Sequence, residues 1–146
     1  MQGSRWVGQV GLEKLTTCLE IRHTVFIIGQ DVPFDLEVDG LDHECIHFLA
    51  IANEKPVGTA RLRHKHGRVA KVERVAVLDS HRGQGWGEDL MQAVHKSAYE
   101  RGWTHLMLNA QEEVIGFYER LGYVGEGSLF MEANIPHLTM SLKLKD

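Results

Sequence analysis

The sequence predicts an α/β domain built on a mixed β-sheet, and three observations predict it. Hydrophobic spacing alternates between helical and strand periods, giving the order strand, helix, three strands, helix, strand, helix, two strands. Short turns join the second, third and fourth strands into an antiparallel meander, whereas a long helix crosses from the fourth strand to a parallel fifth. No repeat or linker divides the 146 residues, which are enough for one cored domain and too few for two, so residues 1–146 read as a single domain.

Each element has its own signal. Residues 6–10 make a short first strand. Leu12, Leu15, Leu19 and Phe26 recur at helical spacing, with Cys18, Ile21, Val25 and Ile28 widening the apolar face, so residues 12–28 read as one helix. Arg22 falls within that face and needs either a carboxylate partner or a cavity. Residues 29–44 form an acidic connection, read as a solvated loop, with Pro33 and the turn pair Asp39-Gly40; a short helix can follow Pro33. Strands follow at 46–52, 57–63 and 69–78, separated by turns at residues 53–56 and 66–68. On the last of these, Lys71, Glu73, Val75 and Val77 share one side and Val72, Arg74 and Ala76 the other, a phase that a bulge would alter. The helix over 84–101 carries Trp86, Leu90, Val94 and Ala98 at steps of four and stops at Gly102. A strand over 103–108 ends at Asn109, a helix over 112–121 stops at Gly122, and strands at 123–132 and 137–144 close the chain.

Composition narrows the function classes. A net charge of −4 argues against bulk nucleic-acid binding. No apolar run reaches membrane-span length, and the first residues lack an apolar signal core, so no membrane contact and a cytoplasmic location are expected. Cys18 and Cys45 sit in apolar surroundings without paired spacing and read as buried free thiols. His43-Glu44-Cys45-Ile46-His47 matches a zinc signature that works only on a helix. Here it runs into a strand, where residues four apart lie roughly 13 Å from each other, so no metal is expected.

The most informative stretch runs from the fourth strand into the long helix. Gly83, Gly85 and Gly87 leave bare backbone where that helix begins, and unpaired N–H groups at a helix start attract anions. Glu88 after Gly87 excludes the P-loop, which needs Lys there, and Glu88 and Leu90 stand where the dinucleotide fingerprint needs its third glycine. Arg82-Gly83-Gln84-Gly85-Trp86-Gly87 fits Arg-x-x-Gly-x-Gly instead.

With "VERVAVLDSHRGQGWGEDLM", "LNAQEEVIGFYERLGY", "IRHTVF", "VPFDLEVDGLD", "KPVGTARLR" and "IPHLTM", the chain from about residue 15 onward resembles the GCN5-related N-acetyltransferases, in particular the small bacterial ElaA-like and YjcF-like subgroup. The subgroup usually carries an acidic residue before the glutamine preceding its "VP" segment; this chain has Gly29. The resemblance implies a sheet of six to seven strands, splayed between strands four and five and flanked by about four helices. It implies acetyl-CoA as cosubstrate, its pyrophosphate on the N–H groups of Arg82, Gly83, Gln84, Gly85, Trp86, Gly87 and Glu88. The pantetheine arm would lie along Val75, Ala76 and Val77, with Asn109 and Phe117 lining the same channel.

The implied reaction moves an acetyl group from a thioester to an amine. An alkyl ammonium, with a pKa of about 10, must lose a proton before attack, and the thiolate must gain one. The resemblance points to Tyr118 as the acid. His137 and Glu73 are both candidates for the base, and a backbone N–H at a bulge in strand four is a candidate donor to the carbonyl oxygen. Arg22 and Arg74 could clamp a carboxylate, which predicts a small acid-bearing amine as acceptor. A protein or peptide N-acetyltransferase, a non-catalytic acyl-CoA-binding regulator and a zinc hydrolase are the rival classes, and the reading leaves room for a homodimer.

Overall fold

The computed structural model describes residues 3–144. Seven strands form one sheet: β1 (Arg5–Val10), β2 (Ile46–Ala52), β3 (Lys55–His66), β4 (Val69–Val77), β5 (His105–Gln111), β6 (Val124–Glu132) and β7 (Ile135–Lys143). Their order across the sheet is β1-β2-β3-β4-β5-β7-β6, and β4–β5 is the parallel pair expected from the helical crossover. Four α-helices flank the sheet: α1 (Leu15–Arg22), α2 (Phe34–Glu37), α3 (Trp86–Glu100) and α4 (Ile115–Arg120).

Side chains alternate between two cores. Phe48, Ala50, Leu62, Leu106 and Met140 pack with Leu90, Met91 and Val94 of α3 on one face. Leu49 of β2 points the other way and meets Cys18 and Ile21 of α1. Gly102, at φ +80°, ends α3 in the left-handed conformation that the chain needs there, with Trp103 N–H closing onto the Ala98 carbonyl.

Three differences from the sequence reading position the site. The single helix expected over 12–28 is divided: a 3₁₀ turn (Leu12–Lys14) precedes α1, and His23–Ile28 continue it as a π-helix. The π turn brings both Val25, which is buried, and Phe26 to the cleft described below. β5 extends to Gln111, which places Asn109 inside the strand.

Arg74 adopts φ +58°, and the β3 register jumps there from Arg61↔Glu73 to Thr59↔Ala76. The extra residue is a bulge, and it inverts the strand's phase. Ala70 and Val72 face the α3 core before it; Val75 and Val77 do so after it, while Ala76 faces α1. The uninterrupted alternation read from the sequence therefore holds only up to the bulge.

Candidate functional site

β4 pairs with β5 only through Val69, Ala70 and Lys71. Beyond Lys71 the two strands part, because the bulge turns β4 while β5 continues straight along β7. The gap is a cleft of about 830 Å³. Val75, Ala76 and Val77 form one wall, Leu108, Asn109 and Ala110 the other, and the start of α3 closes one end. An open strand edge presents unpaired N–H and C=O groups to whatever enters.

The glycine turn is shaped by backbone conformation. Gly83 and Gly85 have φ of +74° and +84°, and Gly85 is the N-cap of α3. These angles are disfavoured for residues with a Cβ. Trp86, Gly87 and Glu88 follow as the first turn, whose N–H groups have no partner within the helix. Gly87 packs beside the Phe117 ring, where a Cβ would sit at ordinary contact distance, 3.4 Å. Arg82 is exposed, pairs with Asp79 and donates to the Val77 carbonyl at 3.1 Å. Gln84 differs from its neighbours, since it does not line the cleft; its carbonyl accepts from Arg5 at 3.0 Å.

Asn109 and Tyr118 face the cleft from β5 and α4. Asn109 accepts from Thr139 Oγ1 at 2.9 Å through its side-chain oxygen, leaving its amide N–H groups for the cleft. Tyr118 is 7% exposed, held by edge-on contacts with Phe117 and Tyr123. Burial raises its pKa well above the ordinary tyrosine value, so the phenol stays protonated at neutral pH.

His137, buried on β7, donates from Nδ1 to the Ile135 carbonyl at 2.7 Å. A carbonyl only accepts, so the proton sits on Nδ1 and Nε2 of the neutral ring carries a free lone pair. Glu73 also lines the cleft, but three cations surround it: Arg63 at 2.7 Å, Arg61 at 3.2 Å and Lys71 at 3.6 Å. Burial opposes its charge, yet the Arg63 hydrogen bond and the neighbouring charges prevail and hold its carboxyl below the usual range. A carboxylate held so firmly ionised is a weak proton acceptor.

The carboxylate clamp expected of Arg22 and Arg74 is not assembled. Arg22 is 1% exposed and lies outside the cleft lining. Glu37 meets its Nε at 2.8 Å and Asp42 its Nη1 at 2.6 Å. Arg74 does line the cleft, but its Nε lies 2.6 Å from Glu37 and its Nη2 donates to the Leu36 carbonyl at 3.1 Å. The acidic connection is solvated only in part: Asp31, Asp35 and Asp39 are exposed, but two of its carboxylates are not. Glu37 and Asp42 are buried, and with Asp39 and Arg61 they strap residues 36–42 across the bulge. Buried charges require partners, and these carboxylates are the partners Arg22 and Arg61 need. The His43/His47 pair is divided between a 3₁₀ turn and β2, and His47 Nε2 lies 2.8 Å from the Asp42 carbonyl.

Several cleft groups left no sequence signal. Gln30 and Gln111 exchange two hydrogen bonds, of 2.9 and 3.3 Å, tying the connection after the π-helix to the end of β5. Glu132 lines the cleft beside His137. Arg5 supports the glycine turn from outside: its guanidinium lies 3.6 Å from the Trp86 ring centroid and pairs with Asp89 at 2.9 Å. The Gln30 and Arg5 contacts join residues 79 or more positions apart, whereas Glu132 and His137 meet across a single hairpin.

Comparison with known proteins agrees with this geometry. Residues 37–144 match the family model described as an acetyltransferase (GNAT) domain. The chain is 41% identical over 129 residues to the uncharacterised N-acetyltransferase YjcF of Bacillus subtilis, covering 88% of this chain and 91% of that protein. It is 27% identical over 138 residues to ElaA of Escherichia coli, covering 91% and 90% respectively. A crystal structure of an acyl-CoA N-acyltransferase from Pseudomonas aeruginosa superposes with a TM-score of 0.81 at 30% identity, covering 96% of this chain and 99% of that one.

Proposed function

The chain belongs to the GNAT acetyltransferase family, in the branch that includes YjcF and ElaA, and we propose that it moves the acetyl group of acetyl-CoA directly to the primary amine of a small molecule. Acyl transfer from an acyl-CoA is the chemistry of the family; the acetyl group and the small-molecule acceptor are the proposal. One observation carries it: the open β4 edge, the helix-terminal glycine turn and the Tyr118 phenol line a single cleft.

In this reading the diphosphate rests on the N–H groups around Gly83, Gly85, Trp86, Gly87 and Glu88. The pantetheine arm extends along Val75, Ala76 and Val77, with Asn109 and Phe117 opposite. His137 Nε2 takes a proton from the acceptor ammonium, and the amine nitrogen attacks the thioester carbonyl. A backbone N–H near the Arg74 bulge steadies the oxyanion. As the C–S bond breaks, Tyr118 gives its proton to the departing thiolate, and the proton left on the adduct nitrogen restores the phenol. The products are the amide, CoA thiol and one proton on His137. His137 is preferred to Glu73 as base because its Nε2 is free, whereas Glu73 is enclosed by cations. The acid-bearing acceptor loses its support with the closed Arg22. Two buried free thiols support a cytoplasmic setting.

The test is a thiol-release screen of primary amines with acetyl-CoA, alongside calorimetry. Uptake of acetyl-CoA with amine-dependent thiol release is expected. Uptake without release from any amine would turn the reading to a non-catalytic binder; no uptake would overturn it. His137→Gln should remove the rise of kcat/KM with pH, and an unchanged profile would dismiss His137 as base.

A further inference from the structure

The β6–β7 hairpin turns on two residues, Ala133 and Asn134, with φ of +51° and +61°. Such a pair makes a tight turn matched to strand twist, and it fixes Glu132 directly opposite Ile135. His137 follows two residues later, its ring stacked on Phe130 and its Nδ1 bound to the Ile135 carbonyl. Its Nε2 therefore points toward Glu132, and the Glu132 carboxylate oxygen stands 3.6 Å away. That is too long for a hydrogen bond between them. Both atoms are acceptors when the imidazole is neutral, and both residues line the cleft.

Two acceptors at this separation suit a donor with more than one hydrogen. A primary ammonium nitrogen can sit about 2.8 Å from each and donate one N–H to the carboxylate and one to the imidazole. Glu132 is free for this role in a way the other cleft carboxylates near the bulge are not. It is 53% exposed, and among the described residues the only basic side chain within 4 Å of its carboxylate is His137. Glu37 and Glu73, by contrast, are enclosed by Arg22, Arg61, Arg63, Lys71 and Arg74. The cleft also offers an apolar surface in Phe26, Val32, Leu36 and Ile135.

We propose that Glu132 is the ammonium-binding residue of the acceptor site, and that the acceptor is a primary amine on an apolar arm, without an acid group. The carboxylate attracts the protonated amine, holds it against His137 Nε2 and stays ionised as the proton moves to the imidazole. This rests on the cleft being the acetyl-transfer site.

Two probes of equal size separate charge from shape: 2-phenylethylammonium and 2-phenylethanol, titrated calorimetrically into protein saturated with CoA at pH 7. The native protein should prefer the ammonium by about tenfold or more, the scale of a charge-assisted hydrogen bond. Glu132→Gln, at a half-exposed hairpin position, should reduce that preference below about threefold with CoA affinity unchanged. His137→Gln should leave most of it in place. A Glu132→Gln protein that keeps the full preference overturns the proposal, as does a CoA-loaded native protein that shows no preference or binds neither probe. Failure of CoA itself to bind would instead strike the acetyl-transfer reading.

Discussion

At the glycine-turn end of the cleft the available groups are main-chain N–H donors, set by two left-handed glycines and a helix start within a few residues of one another. At the other end the groups are side chains: Arg22, Glu37, Asp42, Glu73 and Arg74 in one network, Gln30 with Gln111, and Glu132 with His137. The first end is made by local backbone geometry. The second exists only once separate elements have met, across 15 residues for Arg22 and Glu37, 81 for Gln30 and Gln111, and a hairpin turn for Glu132 and His137. A site for a constant ligand part, such as a diphosphate, can be built from the first kind of material, and selection of a variable acceptor is better suited to the second.

The sharpest test of that division lies where the ends meet. Tyr118→Phe should lower kcat by about 10²-fold or more while leaving the KM for acetyl-CoA within about twofold, measured by steady-state thiol release. The phenol makes no hydrogen bond to other described residues, so melting temperature should hardly move. A kcat within a fewfold of native would remove Tyr118 as the acid.

On stability rather than rate, the test falls on the network under the acceptor end. Arg22→Met leaves Glu37 and Asp42 buried with a lost partner and should destabilise the fold by about 3–5 kcal/mol, read by urea unfolding. A cost below about 1 kcal/mol would mean the residue 36–42 strap is held by packing alone. The same network sets an acid limit. For Asp42 and Glu73 burial opposes ionisation, but the arginines prevail and lower both folded pKa values. Their contribution is therefore complete above the unfolded values of about 4 and is lost as pH falls through the lower folded values. Unfolding free energy should fall on acidification below about pH 4 in the native protein, and less steeply in Arg22→Met.

This contrast also explains what could be read from the sequence. The strand–turn–helix around Gly83, Gly85 and Gly87 is a contiguous pattern, and period changes marked all seven strands. The parallel pair followed from one crossover. A bulge in strand four is expected, but its position at Arg74 is not legible, because an arginine at positive φ has no compositional mark; it is held there by Glu37 and the Leu36 carbonyl. The position of Arg22 on an apolar face demands a partner or a cavity, but spacing alone does not choose between a substrate and the carboxylates 15 and 20 residues later. Within the acidic connection, Glu37 and Asp42 carry no mark in the sequence that separates them from exposed Asp31 and Asp35; the arginines that bury them lie in other elements.

Smaller effects are expected at the glycine turn. Gly85→Val forces a branched residue to φ +84° and sets a Cβ 3.3 Å from the Arg5 guanidinium. The strain, of order 1–2 kcal/mol, should distort the turn and weaken acetyl-CoA binding by about tenfold by calorimetry, with little change in kcat at saturation. An unaltered affinity would show that the turn is not where the diphosphate rests.

The smallest effect should come from Arg5→Ala, which asks whether the glycine turn depends on any distant side chain. Arg5 reaches the turn from β1, stacking on Trp86, pairing with Asp89 and donating to the Gln84 carbonyl. Its guanidinium is partly exposed, so solvent screens the ion pair and the stacking is worth about 0.5–1 kcal/mol. Because Gly83 and Gly85 already hold the turn open through their own backbone, loss of Arg5 should raise the acetyl-CoA Kd only about two- to threefold. A tenfold or larger loss would mean that the turn is assembled from afar like the acceptor end, and the division drawn between the two halves of the cleft would fail.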